Sequence, residues 1–269
     1  RSSDLTGQRA AEGPERLEAH RPPGDAPGHY GVPNLLIDHA MRNPPVPPGF
    51  WRGVNLNQNA IYIECFIDEA AKAAGKDPLA FRRELLASAV VPIPDFNVAR
   101  IRGVLDLVAE KSGWGTKQLP AGTGMGIAVH YSHRGHFAEV VQVTVTSGKA
   151  VKVDKVWVAG DVGRPIINLS GAEGQVQGAM IEGLGQAMEQ EITLAAGRVE
   201  QATFRDYPVL RLRNAPPVEV HFLQTDASPT GLGEPALPPI IPALCNAIFT
   251  ATGERVRTLP LTKSGFRWA

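Results

Sequence analysis

The hydrophobic pattern of this chain changes period near residue 120, and that change limits the folds open to it. Before it, apolar residues recur at helical spacing. In residues 60–74, Ile63, Phe66, Ile67, Ala70 and Ala74 share one helical face, and Gly75 stops the helix. Asp77 and Pro78 then supply an N-cap and a first-position proline for a second helix carrying Leu79, Arg82, Arg83, Leu85 and Leu86. A third helix is expected over residues 98–111, with Ile101, Leu105 and Val108 on one face and Gly113-Trp114-Gly115 ending it. After residue 120 the period is two. Residues 125–130 read as a strand. Val141, Val143 and Val145 alternate with Gln142, Thr144 and Thr146, and Ser147-Gly148 turns the chain into Val151, Val153, Val156 and Val158 as a hairpin. A glycine-rich helix is expected over 172–188. A second hairpin joins 192–194 to 199–204, a strand covers 218–223, and a last helix covers 239–252. Helices segregated from antiparallel hairpins predict the α+β class.

Residues 1–50 obey neither period. The runs Arg21-Pro22-Pro23-Gly24 and Pro44-Pro45-Val46-Pro47-Pro48 cannot hold a helix, because proline lacks the N–H and restricts its predecessor. An extended arm laid over a partner chain is expected for residues 1–45, with a disordered tail as the alternative for 1–25. Residues 46–118 are then a helical segment bearing a functional loop, and 119–269 the α+β domain. The 27 basic and 27 acidic residues balance, so charge exerts no pull toward nucleic acid. No run of about 18 apolar residues predicts membrane insertion. The chain begins at Arg1 without a signal segment and reads as a processed piece or one subunit. Its two cysteines, Cys65 and Cys245, allow one disulfide that would not define the fold, and no spacing suits zinc or an iron–sulfur cluster.

Four stretches could carry chemistry. In Thr230-Gly231-Leu232-Gly233-Glu234-Pro235, the neighbours of Glu234 have no hydrogen-bonding side chains, and two glycines permit close backbone approach. A carboxylate in apolar surroundings has its pKa raised, which suits a general base; a glutamate merely preceding a helix is the equal alternative. Gly174-Gln175-Val176-Gln177-Gly178 opens the glycine-rich helix, where exposed N–H groups would favour an anion, or the glycines would simply allow close packing. Phe50-Trp51-Arg52-Gly53-Val54 precedes the first helix, with Asn57 or Asn59 as its N-cap and Arg52 either functional or a structural ion-pair partner. His130-Tyr131-Ser132-His133-Arg134-Gly135-His136 gathers histidines at a strand-to-strand loop without good metal-ligand spacing, so a solvated loop or a substrate contact is expected ahead of a metal site.

In this order, Phe50-Trp51-Arg52-Gly53-Val54, Gly75-Lys76-Asp77-Pro78-Leu79, Gly174-Gln175-Val176-Gln177-Gly178, Asp206-Tyr207-Pro208-Val209-Leu210 and Gly231-Leu232-Gly233-Glu234-Pro235 resemble one family. It is the molybdopterin-binding large subunit of the xanthine dehydrogenase and aldehyde oxidoreductase family. The similarity is strongest to the branch of isoquinoline 1-oxidoreductase, nicotinate dehydrogenase and aldehyde dehydrogenase. It runs from about residue 30 to 261, and the two glycine motifs together are specific where either alone is weak.

The resemblance implies that residues 119–269 form a molybdopterin-binding domain of a molybdenum hydroxylase acting on an aldehyde or N-heteroaromatic substrate. Glu234 would be the catalytic base. Gln175, Gly174, Gly233, Arg52 and Gly53 would lie at the cofactor, with Thr203, Phe204 and Arg205 approaching it. Trp51, Val54, His130, Tyr131, His133 and His136 would line the substrate pocket, the histidine loop matching by position and not by residue type. The cofactor would be molybdenum on molybdopterin in its cytosine dinucleotide form, with no metal ligand from this chain. Electrons would leave through [2Fe–2S] clusters in an iron–sulfur subunit. The chain matches only the C-terminal part of such a large subunit, so an N-terminal molybdopterin-binding chain is implied, with a cytochrome c subunit as a further partner. A periplasmic or membrane-associated location follows from such partners, with the cytoplasm as the alternative. A non-catalytic scaffold subunit is the competing function, although a scaffold has no need of Glu234 in its glycine loop.

Overall fold

The structure is a computed structural model that describes residues 29–34, 49–89 and 95–269. The arm expected over 1–45 therefore lies outside the described residues, apart from 29–34.

Three helices come first: α1 (Leu56–Ala73), α2 (Pro78–Ala87) and α3 (Val98–Ser112). Asp77 caps α2 as expected, its side chain accepting from Ala80 N, and Gly113 closes α3 in the left-handed region at φ 69°. Strands β1 (Thr123–Ser132), β2 (Gly135–Val145) and β3 (Ala150–Asp161) then form an antiparallel meander. After α4 (Leu169–Met188) comes a two-residue ribbon, β4 (Leu194–Ala195) and β5 (Arg198–Val199). Strand β6 (Val218–Phe222) pairs parallel to β3, α5 (Ile240–Thr252) follows, and β7 (Arg267–Trp268) pairs with the start of β3.

The sheet is buried on both faces. On one face Val129, Ala138, Val140 and Trp157 pack with Leu79, Leu86, Ile101, Val104, Leu105 and Val108 of α2 and α3. On the other, Val141, Val156 and Val158 pack with Met180 and Leu184 of α4 and with Ile240, Ala243, Leu244 and Ile248 of α5. Residues on both sides of position 120 thus share one core. Helix α5 is apolar on nearly every face because it lies inside: every residue from Ile240 to Ile248 is buried, Asn246 being its one polar side chain there. Its approach to β1 requires Gly126, where a Cβ would stand 2.2 Å from Ala243 O and Ala247 N.

The structure moves several expected boundaries. Helix α4 starts at Leu169, capped by Asn168 Oδ1 accepting from Gly171 N at 2.8 Å. Gln175 therefore lies in the body of the helix, and the first-turn N–H groups are not at Gly174. The strand expected over 199–204 stops at Val199, and Thr203 begins a turn whose carbonyl accepts from Asp206 N and Tyr207 N. On α1 the buried stripe is Ala60, Glu64, Ile67, Asp68 and Ala71, while Phe66 is exposed. Two acids take core positions because arginines reach them. Arg82 Nε donates to Glu64 Oε2 at 2.9 Å with both side chains fully buried, and Arg255 pairs with Asp68 at 2.6 Å. Tyr30 and Val129 N also donate to Glu64, so this carboxylate ties residues 29–34, α1, α2 and β1 together.

Candidate functional site

Arg52 is the hub. Its Nε donates to Gly233 O at 2.6 Å, one terminal nitrogen donates to Glu182 Oε2 at 3.0 Å, and the other donates to Gln175 O at 2.9 Å and Gln175 Oε1 at 3.3 Å. A guanidinium carries its five N–H donors in a fixed planar fork, so these bonds set the α4 face and the Gly233 loop in one geometry. The turn holding Arg52 is itself pinned: Val54 N bonds Trp51 O at 2.9 Å, and Asn57 Nδ2 donates to Arg52 O at 2.7 Å. Asn57 is thus no N-cap. Asn55 occupies that position and makes no capping bond there. Gly53 at φ 82° and Val54 at φ 50° both sit in the left-handed region, which a β-branched residue rarely adopts. The strained turn aims Gly53 N at Glu234 Oε1, 3.1 Å away.

Glu234 is held from both sides. Its other oxygen, Oε2, lies 3.3 Å from His133 Nε2, with the glutamate side chain 40% exposed. The apolar surroundings read from its sequence neighbours are therefore not what it has: a backbone donor and a histidine face it, because residues distant in sequence fold against the loop. His133 gets there through the β1–β2 turn. His133 and Arg134 take φ of 49° and 65°, the two positive values that a tight two-residue hairpin needs, and Arg134 pairs with Asp95 at 3.0 Å. Gly135 then packs against Pro235, where a Cβ would come within 2.8 Å of the ring.

The rest of the histidine stretch is a correction. It is no open loop: all but the two turn residues belong to β1 and β2, and His130, Tyr131 and His136 are buried in the molecule, not lining a substrate surface. His136 Nε2 accepts from Asn97 N at 3.1 Å and stacks on Phe96, while His130 packs edge-on to His29. Burial and, secondarily, neighbouring cationic or histidine charge push His29, His130 and His136 down to about 3, so all three are neutral. Among the described residues no group of three or more His, Cys, Asp or Glu is placed to hold a metal ion.

Trp51 immediately precedes the Arg52 hub in the chain. With Gln186, Ile192, Gln201, Thr203, Phe204 and Tyr207 it lines a cavity of about 820 Å³. Gln186 Nε2 donates to Glu182 Oε1 at 3.2 Å, which links that cavity to Arg52. Arg205 is not among the lining residues; its N–H donates to Thr203 Oγ1 at 3.2 Å. Glu182 was not singled out from sequence. The signal was there, because Gln175, Gly178 and Glu182 recur at helical spacing on one face.

The glycines decide whether the site fits a large polar heterocycle. Among the described residues, a Cβ at Gly174, Gly231 or Gly233 would meet nothing within 4 Å, and one at Gly178 would meet the Arg52 guanidinium at 3.7 Å. All four are exposed. Bare backbone is therefore presented to open space and not used for internal packing. With its Oε1 engaged by Arg52, Gln175 offers Nε2 as a donor. A flat, hydrogen-bonding group fits that surface.

Fold and site together define an α+β domain that exposes bare backbone, an amide and a fixed carboxylate on one surface. The molybdopterin cofactor-binding domain family matches residues 72–216, more than half of the 269 residues, and the chain belongs to that family. It is 31% identical over 235 residues to the beta subunit of isoquinoline 1-oxidoreductase from Brevundimonas diminuta, covering 86% of this chain and 29% of that protein. It is 32% identical over 224 residues to the membrane-bound aldehyde dehydrogenase (pyrroloquinoline-quinone) of Gluconacetobacter polyoxogenes, covering 80% and 29%. To a nicotinate dehydrogenase subunit of Pseudomonas putida it is 29% identical over 258 residues, covering 89% and 21%. The chain thus spans less than a third of these relatives. In fold it is similar to quinoline 2-oxidoreductase from Pseudomonas putida 86, with TM-score 0.69 at 14% identity over 80% of this chain and 52% of that one.

Proposed function

We propose that this chain is the catalytic C-terminal part of a molybdopterin-dependent oxidoreductase that oxidises an aldehyde or an N-heteroaromatic compound. The observation that carries the reading is the single Arg52 side chain bonded at once to Gln175, Glu182 and Gly233, which sets the carboxylate of Glu234 beside an open glycine face. Gln175, Gly174, Gly178, Gly231 and Gly233 hold the cofactor, and Arg52 keeps that surface in register. When bound, the molybdenum–molybdopterin group supplies the two-electron redox chemistry. Glu234 is the general base, taking up a proton at its Oε2 while the Gly53 N–H holds Oε1 in place. His133 Nε2, 3.3 Å from that oxygen, orients it and can pass the proton toward solvent. Trp51, Thr203 and Phe204 wall the apolar cavity that receives substrate.

The fuller assembly belongs to the same proposal. The cofactor is in its cytosine dinucleotide form, an N-terminal molybdopterin-binding part completes the site, and an iron–sulfur subunit with [2Fe–2S] clusters takes the electrons, with a cytochrome c beyond it at a periplasmic or membrane-associated location. Glu234→Gln keeps the shape and removes the base. General-base help is worth roughly 10²–10⁴-fold, so turnover of the assembled enzyme should drop by at least about 100-fold while molybdenum content stays unchanged. Near-normal turnover in that variant rejects the assignment.

A further inference from the structure

Helices α1 and α5 pack against each other, and each continues from a site loop. Helix α1 begins at Leu56, just past the Arg52–Gly53 turn, and α5 begins at Ile240, just past Glu234. The two cysteines of the sequence lie one on each helix. Cys245 is buried in the core between sheet and helices, and Cys65 is half-buried and packs against the same core. Their chain neighbours are already joined, with Asn246 Nδ2 donating to Glu64 O at 3.4 Å. The Cys65 side chain and burial together push the Cys245 thiol up. Glu69, one turn further along α1 from Cys65, pairs with Arg257 at 2.8 Å.

We propose that Cys65 and Cys245 are a dithiol pair that closes to an inter-helix disulfide, tying the helix behind the Arg52 turn to the helix behind the Glu234 loop. The oxidant is a small or protein disulfide. The Cys65 thiolate, the accessible partner, attacks one of its sulfurs; a mixed disulfide forms at Cys65 and one thiol leaves. Cys245 gives up its proton and attacks the Cys65 sulfur; the protein disulfide forms and the second thiol leaves. Two protein thiols are oxidised and one disulfide is reduced to two thiols, so electrons and protons balance. Burial keeps Cys245 away from the external oxidant, so it takes the second step, where the attack is intramolecular.

The test uses the assembled protein equilibrated with oxidised or reduced glutathione, quenched in acid, alkylated in denaturant and digested with trypsin. After oxidised glutathione, the peptides spanning 53–72 and 214–255 are expected linked, two hydrogens lighter than their sum. Cys65→Ser and Cys245→Ser should both lack the linked species, and Cys245→Ser should retain glutathione on Cys65. A cross-link closing so long a loop should raise the melting temperature of the wild type on the order of 5 °C, and neither serine variant should respond. Full alkylation of both thiols after oxidation, or a wild type that stops at the glutathione adduct of Cys65, overturns the pair. A linked protein that melts with the reduced form overturns the tie between the two helices. None of these readouts depends on catalysis.

Discussion

Single side chains carry most of the specificity of this site. Arg52 satisfies acceptors on three residues of two segments, α4 and the Gly233 loop, and a lysine cannot reproduce that fork, because its three donors diverge from one atom. Hydrogen bonds to charged groups are worth about 1.5–3 kcal/mol each, so Arg52→Lys should lower kcat/KM by roughly 10–100-fold and reduce cofactor retention, read by turnover and metal analysis together. Turnover and metal content equal to wild type would refute the hub. Glu139 is a different kind of residue. It is fully buried in β2, neither carboxylate oxygen has a hydrogen-bond partner among the described residues, and burial holds its pKa well above the usual carboxylate range. The native state binds a proton there that the unfolded chain releases above about pH 4.5, so this contribution falls as pH rises. Glu139→Gln should therefore melt higher than wild type at pH 8, with the difference closing as pH approaches 4. A pH-independent difference would contradict the assignment. Nothing in the alternation around Glu139 distinguishes it from a solvent-facing strand residue, because the sequence does not say that α4 and α5 cover that face.

At the scale of elements, the glycines divide by what stands opposite them. Gly126 faces the α5 backbone, so Gly126→Ala must push a helix off a strand and should cost about 1–3 kcal/mol. Gly174 faces open space in the interior of α4, so Gly174→Ala should stabilise the cofactor-free fold by about 0.5–1 kcal/mol through helix propensity. If the open face holds the pterin, the same substitution should lower molybdenum incorporation. Denaturant melts of the cofactor-free protein, paired with metal content of the loaded enzyme, separate the two effects. Element types were largely legible in the sequence. The caps at Asp77 and Gly113 are local, and the valine alternation of β2 and β3 marks both strands even though their register shifts between Gln142 and Val143. The start of α4 was not, because Asn168 resembles any loop asparagine until its side chain is seen to accept from Gly171 N. Nor was the Glu64–Arg82 pair, since a buried acid looks in sequence like the polar face of an amphipathic helix.

For the whole molecule the clearest consequence is its response to acid. His29, His130 and His136 have folded values of about 3 against an ordinary value near 6.5. Their neutral forms are favoured in the fold, so their contribution is complete above about pH 6.5 and is lost as pH falls toward 3. Each proton taken up on unfolding adds about 1.4 kcal/mol per pH unit to that slope. Asp161, lowered by hydrogen bonds from Arg100, Gly163 and Thr225 that outweigh its burial, acts in the same sense at lower pH. Urea melts between pH 7 and pH 4 should show stability falling steeply below pH 6, and His130→Phe should flatten part of the slope. An unchanged slope in that variant would remove His130 from the account.

The amino-acid sequence by itself determined what depends on near neighbours: the switch from helical to strand period near residue 120, the caps and turns, and the paired glycine motifs that carry the resemblance to the molybdopterin family. Only the tertiary structure decided which of those residues meet. Arg52 reaches Gln175 across 123 positions and Gly233 across 181, and Gly53 reaches Glu234 across 181. Of the histidine cluster, only His133 is turned onto Glu234, while His130 and His136 go inside. The physical reason is range. Backbone preference and hydrophobic period act over a turn or a few strand residues. Burial, ion pairing and the environment of Glu234 are set by what the packed helices and the sheet bring against it.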